Sequence, residues 1–282
     1  MAALCNGRDG ERVAALALQW RTMSKDPAPR SAGQAPALAI DGHVATLTLR
    51  RPAVANRLAA ADLPVLRAHV DAVNRAEGVL VLLLRAEGRH FCSGFDIADM
   101  AASQAEGAGF GDMVDALEDC RAVTVAAVQG GVYGGATDIA LACDFRVGSE
   151  AAQMFMPAAR LGLHFYESGL RRYVERLGLD TAKRLFLTGE TLDARAMREI
   201  GFLTHLVAPE ALDGAVQALV DQLAGMAPLA LLGMKRHLNQ IARGTLLEGA
   251  VREATLRTLA SDDLREGQLA WKEKRPARFT GR

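Results

Sequence analysis

The sequence predicts an α/β fold: a parallel sheet crossed by helices, followed by a C-terminal helical region. Residues 79–84 and Val123–Val128 are apolar throughout, without polar alternation, and read as strands covered on both faces. Between such runs lie segments with apolar residues at helical spacing, so strand, turn and helix alternate as right-handed βαβ crossovers require. A length of 282 residues is enough to bury a full core.

Taken in order, residues 38–40 and 44–49 flank Asp41-Gly42, a two-residue turn that closes a β-hairpin. Arg51-Pro52 ends the second strand. Over residues 59–76, Leu63, Leu66, Val70 and Val73 recur at the spacing of an amphipathic helix. After the strand at 79–84, residues 110–117 are helical in period and 123–128 form a strand. Residues 134–143 then open a helix, and 145–147 return as a strand. From Gly169 onward the pattern is helical over 170–177, 181–187, 194–199, 211–226, 229–242, 246–260 and 264–275, with 202–207 the one extended stretch. The expected organisation is an N-terminal extension over 1–36, a core carrying the site over 37–210, and a helical region over 211–282. The extension is rich in Pro, Ser, Gly and Ala from residue 24 and reads as flexible; Met23 stands as an alternative start.

Composition removes several function classes. Lys plus Arg and Asp plus Glu balance at 33 each, so no global field attracts nucleic acid or an anionic membrane. The longest apolar runs fall short of the ~20 residues that cross a bilayer, which predicts a soluble protein with no membrane partner. Cys5, Cys92, Cys120 and Cys143 lack metal-ligand spacing and read as buried free thiols of a reducing, cytoplasmic compartment, with no metal site. Arg8, Arg12 and Arg21 suggest a targeting helix, but the acidic residues among them and the missing cleavage pattern argue against it.

Two turns carry the chemistry. Phe91-Cys92-Ser93-Gly94-Phe95-Asp96 follows one apolar strand; Gln129 to Asp138, with Gly130, Gly131, Gly134 and Gly135, follows another and opens a helix. Each places glycine where a backbone N–H must lie bare. A carbonyl oxygen between two such preorganised donors becomes a better electron sink, which is chemistry on a thioester or a similar acyl group.

Val44 to Pro52 followed by Asn56, the two turns with Ile97, Ala126 to Gly130, Ala140 to Val147, Leu187 to Glu190 and the tail Lys272 to Arg282 occur in a set order and spacing. That pattern resembles the crotonase superfamily, the enoyl-CoA hydratase/isomerase family, from about residue 37 to the C-terminus. The resemblance implies a ClpP/crotonase-like fold of repeated ββα units and an acyl-CoA thioester substrate. It places the thioester oxygen between the N–H groups of Phe95 and Gly135, with Asp96, Ile97 and Gly134 beside it. Coenzyme A is then part of the substrate and no separate cofactor is expected. The C-terminal helix and tail are implied to build a homotrimer or a dimer of trimers and to help bind CoA.

Hydratases of this family use two glutamates. Here the first position holds Asp138 and the second, after Pro157, holds Ala158. An aspartate can still act as base, as in some dienoyl-CoA isomerases of the family, whereas alanine cannot. Hydration needs one group to activate water and another to protonate carbon; the expectation is therefore an acyl-CoA thioester enzyme of this family that stabilises a thioester enolate, with isomerisation or decarboxylation as the alternatives to hydration. Tyr166, where some isomerases carry a third carboxylate, and Glu167 are the candidate replacements, with His164 nearby. Against those roles, Tyr166 can wall the pocket, His164 can sit in a turn, Glu167 can cap a helix, and Asp138 can complement a helix dipole. Tyr133 reads as packing under its loop and Arg160 as an ion-pair partner.

Candidates for the CoA phosphates are Arg51, Lys235 with Arg236, and Lys272, Lys274 and Arg275 near Phe279; the alternative for each is a solvated face. Two other functions remain open. A serine hydrolase would use Ser93, His164 and Asp138, but Ser93 lacks the Gly-x-Ser-x-Gly elbow. A non-catalytic acyl-CoA binder is suggested by Ala158.

Overall fold

The computed structural model describes residues 33–96 and 109–282. Among them are nine strands: β1 (Gln34–Asp41), β2 (Val44–Arg50), β3 (Val81–Ala86), β4 (Val123–Val128), β5 (Gly131–Tyr133), β6 (Phe145–Ser149), β7 (Gln153–Phe155), β8 (Thr191–Asp193) and β9 (His205–Val207). The helices are α1 (Asp62–Arg75), α2 (Phe110–Glu118), α3 (Gly135–Ala142), α4 (Glu167–Leu177), α5 (Leu179–Lys183), α6 (Ala194–Glu199), α7 (Leu212–Ala224), α8 (Pro228–Ala242), α9 (Ala250–Leu259) and α10 (Asp262–Glu273).

The main sheet runs β1-β2-β3-β4-β6-β9, antiparallel at its first pair and parallel thereafter. The hairpin forms as expected, but Asp41 pairs with Val44, so Gly42 and His43 make the turn, one residue beyond Asp41-Gly42. Strand alternation sends side chains to two separate cores. Leu82, Leu84, Ala126 and Val128 pack with Leu63, Leu66, Val70 and Val73 of α1 on one face. On the other face Val81, Leu83, Val125 and Ala127 pack with Leu212, Val216, Val220 and Leu223 of α7. Each such fully buried Leu or Val contributes about 1.5–3 kcal/mol, so covering both faces is what stabilises the parallel arrangement.

That packing moves the expected domain boundaries. Residue 210 is not a break, because α7 closes one face of the sheet and residues 33–282 form one compact unit. The first strand begins at Gln34, inside the segment assigned to the extension. Residues 1–32 lie outside the described residues, and with them Cys5, Met23 and the N-terminal arginines.

A second sheet, β5-β7-β8, was not expected, since its strands have only three residues each. It anchors the glycine loop. Gly134 N–H donates to Phe155 O at 3.0 Å, Tyr133 N–H to Cys92 O at 3.0 Å, and Phe91 N–H to Gly131 O at 3.0 Å, so the two glycine turns are laced together. Cys92, Cys120 and Cys143 are buried free thiols. Among the described residues no single helix is long and apolar enough to cross a membrane.

Candidate active site

The two turns meet at Gly94. Its φ of +93° lies in the region that disfavours L side chains, and a Cβ there would stand 2.8 Å from Tyr133 O and 3.1 Å from Gly135 N. Only a glycine lets the turns approach this closely. Gly134, with φ +54°, turns the chain so that α3 starts at Gly135. Among the described residues, neither Phe95 N–H nor Gly135 N–H donates a hydrogen bond. The second is also a helix N-terminal donor, left unpaired by helix geometry and biased toward negative charge by the helix dipole.

Asn56 holds the first turn. Its buried side chain accepts from Arg51 N–H at 2.8 Å and donates to Glu87 O at 2.8 Å and His90 O at 2.9 Å. Ser93 N–H donates to Ala55 O, and Phe95 is flanked by main-chain bonds from Leu58 N–H to Gly94 O and from Asp96 N–H to Leu58 O. Aromatic rings wall the approach. The Phe110 ring packs on Gly135, with a ring carbon 2.8 Å from where a Cβ would stand; Phe95 and Tyr166 flank it at centroid separations of 5.6 and 6.1 Å.

Asp138 lies three residues after Gly135, so both fall on one face of α3, and side chains on a helix lean toward its N-terminus. It is fully buried. Tyr166 donates its hydroxyl proton to Oδ2, and Arg172 donates to the same oxygen at 2.6 Å. Oδ1 is buried with no hydrogen-bond partner among the described residues. Burial pushes the Asp138 carboxyl above its ordinary range, against the opposing pull of Arg172 and of the Tyr166 hydrogen bond. Burial, followed by the adjacent Asp138 charge, pushes the Tyr166 phenol far upward, so it stays protonated as a donor.

Arg172 ties this carboxylate to α2, pairing with Asp115 at 2.6 Å and Glu118 at 3.1 Å. Glu118 also meets Arg176 at 3.2 Å and Arg243 at 2.6 Å. Burial raises the Glu118 carboxyl, but Arg172, Arg176 and Arg243 outweigh it and hold the group below its usual range. The sequence reasoning missed this network. A signal was available, because Arg172 falls in the inward stripe of α4 with Gly169, Tyr173 and Leu177.

Residues 39–282 match the family described as enoyl-CoA hydratase/isomerase. The chain belongs to that family. It is 34% identical over 213 residues to the enoyl-CoA isomerase/hydratase fer4 of Mycosarcoma maydis, covering 72% of this chain and 77% of the relative. To the 2,3-dehydroadipyl-CoA hydratase of Escherichia coli it is 30% identical over 253 residues, covering 85% and 96%. Among solved structures, subunit I of an enoyl-CoA hydratase from Geobacillus kaustophilus superposes with a TM-score of 0.79 at 31% identity, covering 89% of this chain and all of that one (100%). The crotonase fold expected from the motifs is therefore the fold of this enoyl-CoA hydratase/isomerase family member.

Other sequence candidates stand elsewhere. Glu167 is exposed, opens α4 with Tyr166 at its N-cap, and lines a surface groove with His164, Leu170 and Val174. Ala158 is buried and offers no proton. Arg51 forms an ion pair with buried Asp62, and Lys235 is buried, donating to Ala122 O at 2.6 Å and pairing with Asp144 at 2.7 Å. Asp96 pairs with Arg57 at 3.4 Å. Lys274 is exposed at the C-cap of α10, and Phe279 packs beside Gly267 of the same helix. Ile97 lies outside the described residues. Tyr133 packs on Phe155 and accepts from Gln153, and Arg160 donates to Thr188 O and pairs with no acid among the described residues.

The hydrolase triad does not assemble. Ser93 donates to Val54 O, the His164 Nδ1–H donates to Phe165 O, and Asp138 is held by Tyr166 and Arg172. Among the described residues no group of three His, Cys, Asp or Glu side chains is arranged to hold a metal ion.

Proposed function

We propose that this chain is an acyl-CoA isomerase of its family, moving a double bond by carrying one proton between two carbons of a thioester. Asp138 Oδ1 removes a proton from the α-carbon of a 3-enoyl-CoA. The electron pair passes into the thioester carbonyl, whose oxygen Phe95 N–H and Gly135 N–H stabilise. The proton then returns from Asp138 to the γ-carbon, and the 2-enoyl product forms with no atom gained or lost.

One observation carries this reading: one turn along α3 from the bare Gly135 N–H stands buried Asp138, whose Oδ1 has no partner among the described residues, and Ala158 stands where the family's hydratases carry a second carboxylate. One base that takes and returns a proton suffices for isomerisation, whereas hydration needs a second group for water. Because Asp138 is pushed upward by burial, its proton-accepting form exists only above that raised value, and the rate should climb with pH along this limb.

The test is a panel of CoA thioesters assayed with wild-type protein and with Asp138→Asn. Isomerisation of a 3-enoyl-CoA should exceed hydration of crotonyl-CoA, and Asp138→Asn should lower it by about 10²–10⁴-fold. Brisk crotonyl-CoA hydration that survives Asp138→Asn would overturn the assignment of the base. Carbon dioxide release from a malonyl-type thioester would point to a decarboxylase, and tight binding without turnover of any thioester to an acyl-CoA binder.

A further inference from the structure

We propose that Arg172 is the positioning residue of the candidate site: it grips Asp138 by Oδ2, beside the Tyr166 hydroxyl, and leaves Oδ1 as the oxygen that exchanges a proton with substrate. The inference rests on the proposed reaction for its chemistry but not for its geometry. Two donors converge on Oδ2, Arg172 at 2.6 Å and the Tyr166 hydroxyl, while Oδ1 has none among the described residues. A buried carboxylate oxygen without a donor is costly unless something arrives to use it. Saturating one oxygen therefore directs proton exchange to the other.

Arginine fits this task where lysine would not. Its planar fork donates in fixed directions, and here one guanidinium spans three acids on two other helices: Asp138 of α3, and Asp115 and Glu118 of α2. The side chain is 1% exposed, so its orientation is set by packing and not by solvent. Tyr166 is the N-cap of α4 and Arg172 lies in its middle, so one helix and its cap deliver both donors to Oδ2. The charged and titratable groups around Asp138 are Tyr166, Arg172 and Tyr173 from α4 with Asp115 and Glu118 from α2; Arg176 and Arg243 reach it only through Glu118.

Two measurements on the full chain test this. The first is the titration of the Asp138 carboxyl by carbon-13 NMR of aspartate-labelled protein; the second is exchange of the α-protons of butyryl-CoA in heavy water. In Arg172→Lys the Asp138 midpoint should rise, and exchange at saturating thioester should fall at least tenfold with KM within about twofold. An unchanged midpoint and a wild-type exchange rate in folded Arg172→Lys would overturn the proposal. Should that variant fail to fold, Asp115→Asn decides, because Asp115 is 39% exposed and shares the same guanidinium. Freed from that competitor, Arg172 should lower the Asp138 midpoint; no movement overturns the proposal. If wild-type protein exchanges no α-proton, the proposed reaction fails, while the NMR titrations still decide the role of Arg172.

Discussion

A methyl group on Gly94 is the smallest change that should part the two donors. The left-handed backbone alone costs an L residue about 1–2 kcal/mol. The new carbon would also press on Tyr133 O and Gly135 N, the second of which carries a proposed donor. Gly94→Ala should therefore lower Tm modestly but reduce kcat/KM much more, since losing one such donor costs on the order of 10²–10³ in kcat. Loss of stability with activity intact would mean that Gly94 serves the fold alone. Tyr166→Phe acts differently. It removes a donor that pulls Asp138 down, so the acid limb of the pH–rate profile should move to higher pH; a profile that stays in place would show the hydroxyl has no hold on the base. Gly94, Gly135, Asp138 and Tyr166 were legible in the sequence because turns and motif spacing are local. Arg172 was not, because an arginine in a helix reads as solvated until its three acidic partners are brought in from elsewhere in the chain.

The ion-pair network joins α2, α4 and α8, with Glu118 as its centre. Its pH response follows from two opposite shifts. Glu118 is held below its ordinary range, so its stabilisation is complete above the unfolded carboxylate value of about 4.3 and is lost as pH falls through the lower folded value. Asp138 is pushed up, so its contribution is present at low pH and fades as pH rises through the folded value. Acid unfolding should therefore track Glu118. Glu118→Gln should cost about 3–5 kcal/mol at neutral pH, because three arginines lose a buried partner, and should flatten the decline in stability below about pH 4. Urea titrations across pH measure both; an equal acid decline in the variant would place the sensitivity elsewhere. At this scale the long apolar strands and the periodic helices were readable, while β5, β7 and β8 were not. Three residues carry too little pattern, and their pairing is specified by partners up to forty residues away.

Seen whole, the chain hides its hydrophobic residues on both faces of the main sheet but leaves an apolar surface at the C-terminal helices. Met234, Leu238 and Ile241 recur along α8 at spacings of four and three, which puts them on one stripe, and all three are exposed. Leu247, Leu256 and Leu259 on and before α9 are exposed as well. The resemblance from about residue 37 to the C-terminus was legible because many weak motifs kept their order; this surface was not, since apolar helical spacing looks the same whether a core or a second subunit covers it. Contiguous exposed apolar patches on a folded protein mark sites of association. Self-association through this surface into a homotrimer or a dimer of trimers would cover it, and α10 with its tail would follow, because Asp263 accepts from Thr280 N–H and Gly281 N–H and folds the tail back on that helix. Light scattering of the wild-type protein should therefore give three or six copies, and Leu238→Glu together with Ile241→Glu should shift the mass to one copy. The variant should keep its helical circular dichroism, because neither residue belongs to the cores on the two sheet faces. A wild-type protein that runs as a monomer across the micromolar range, or a double variant that still assembles, would refute assembly through this stripe.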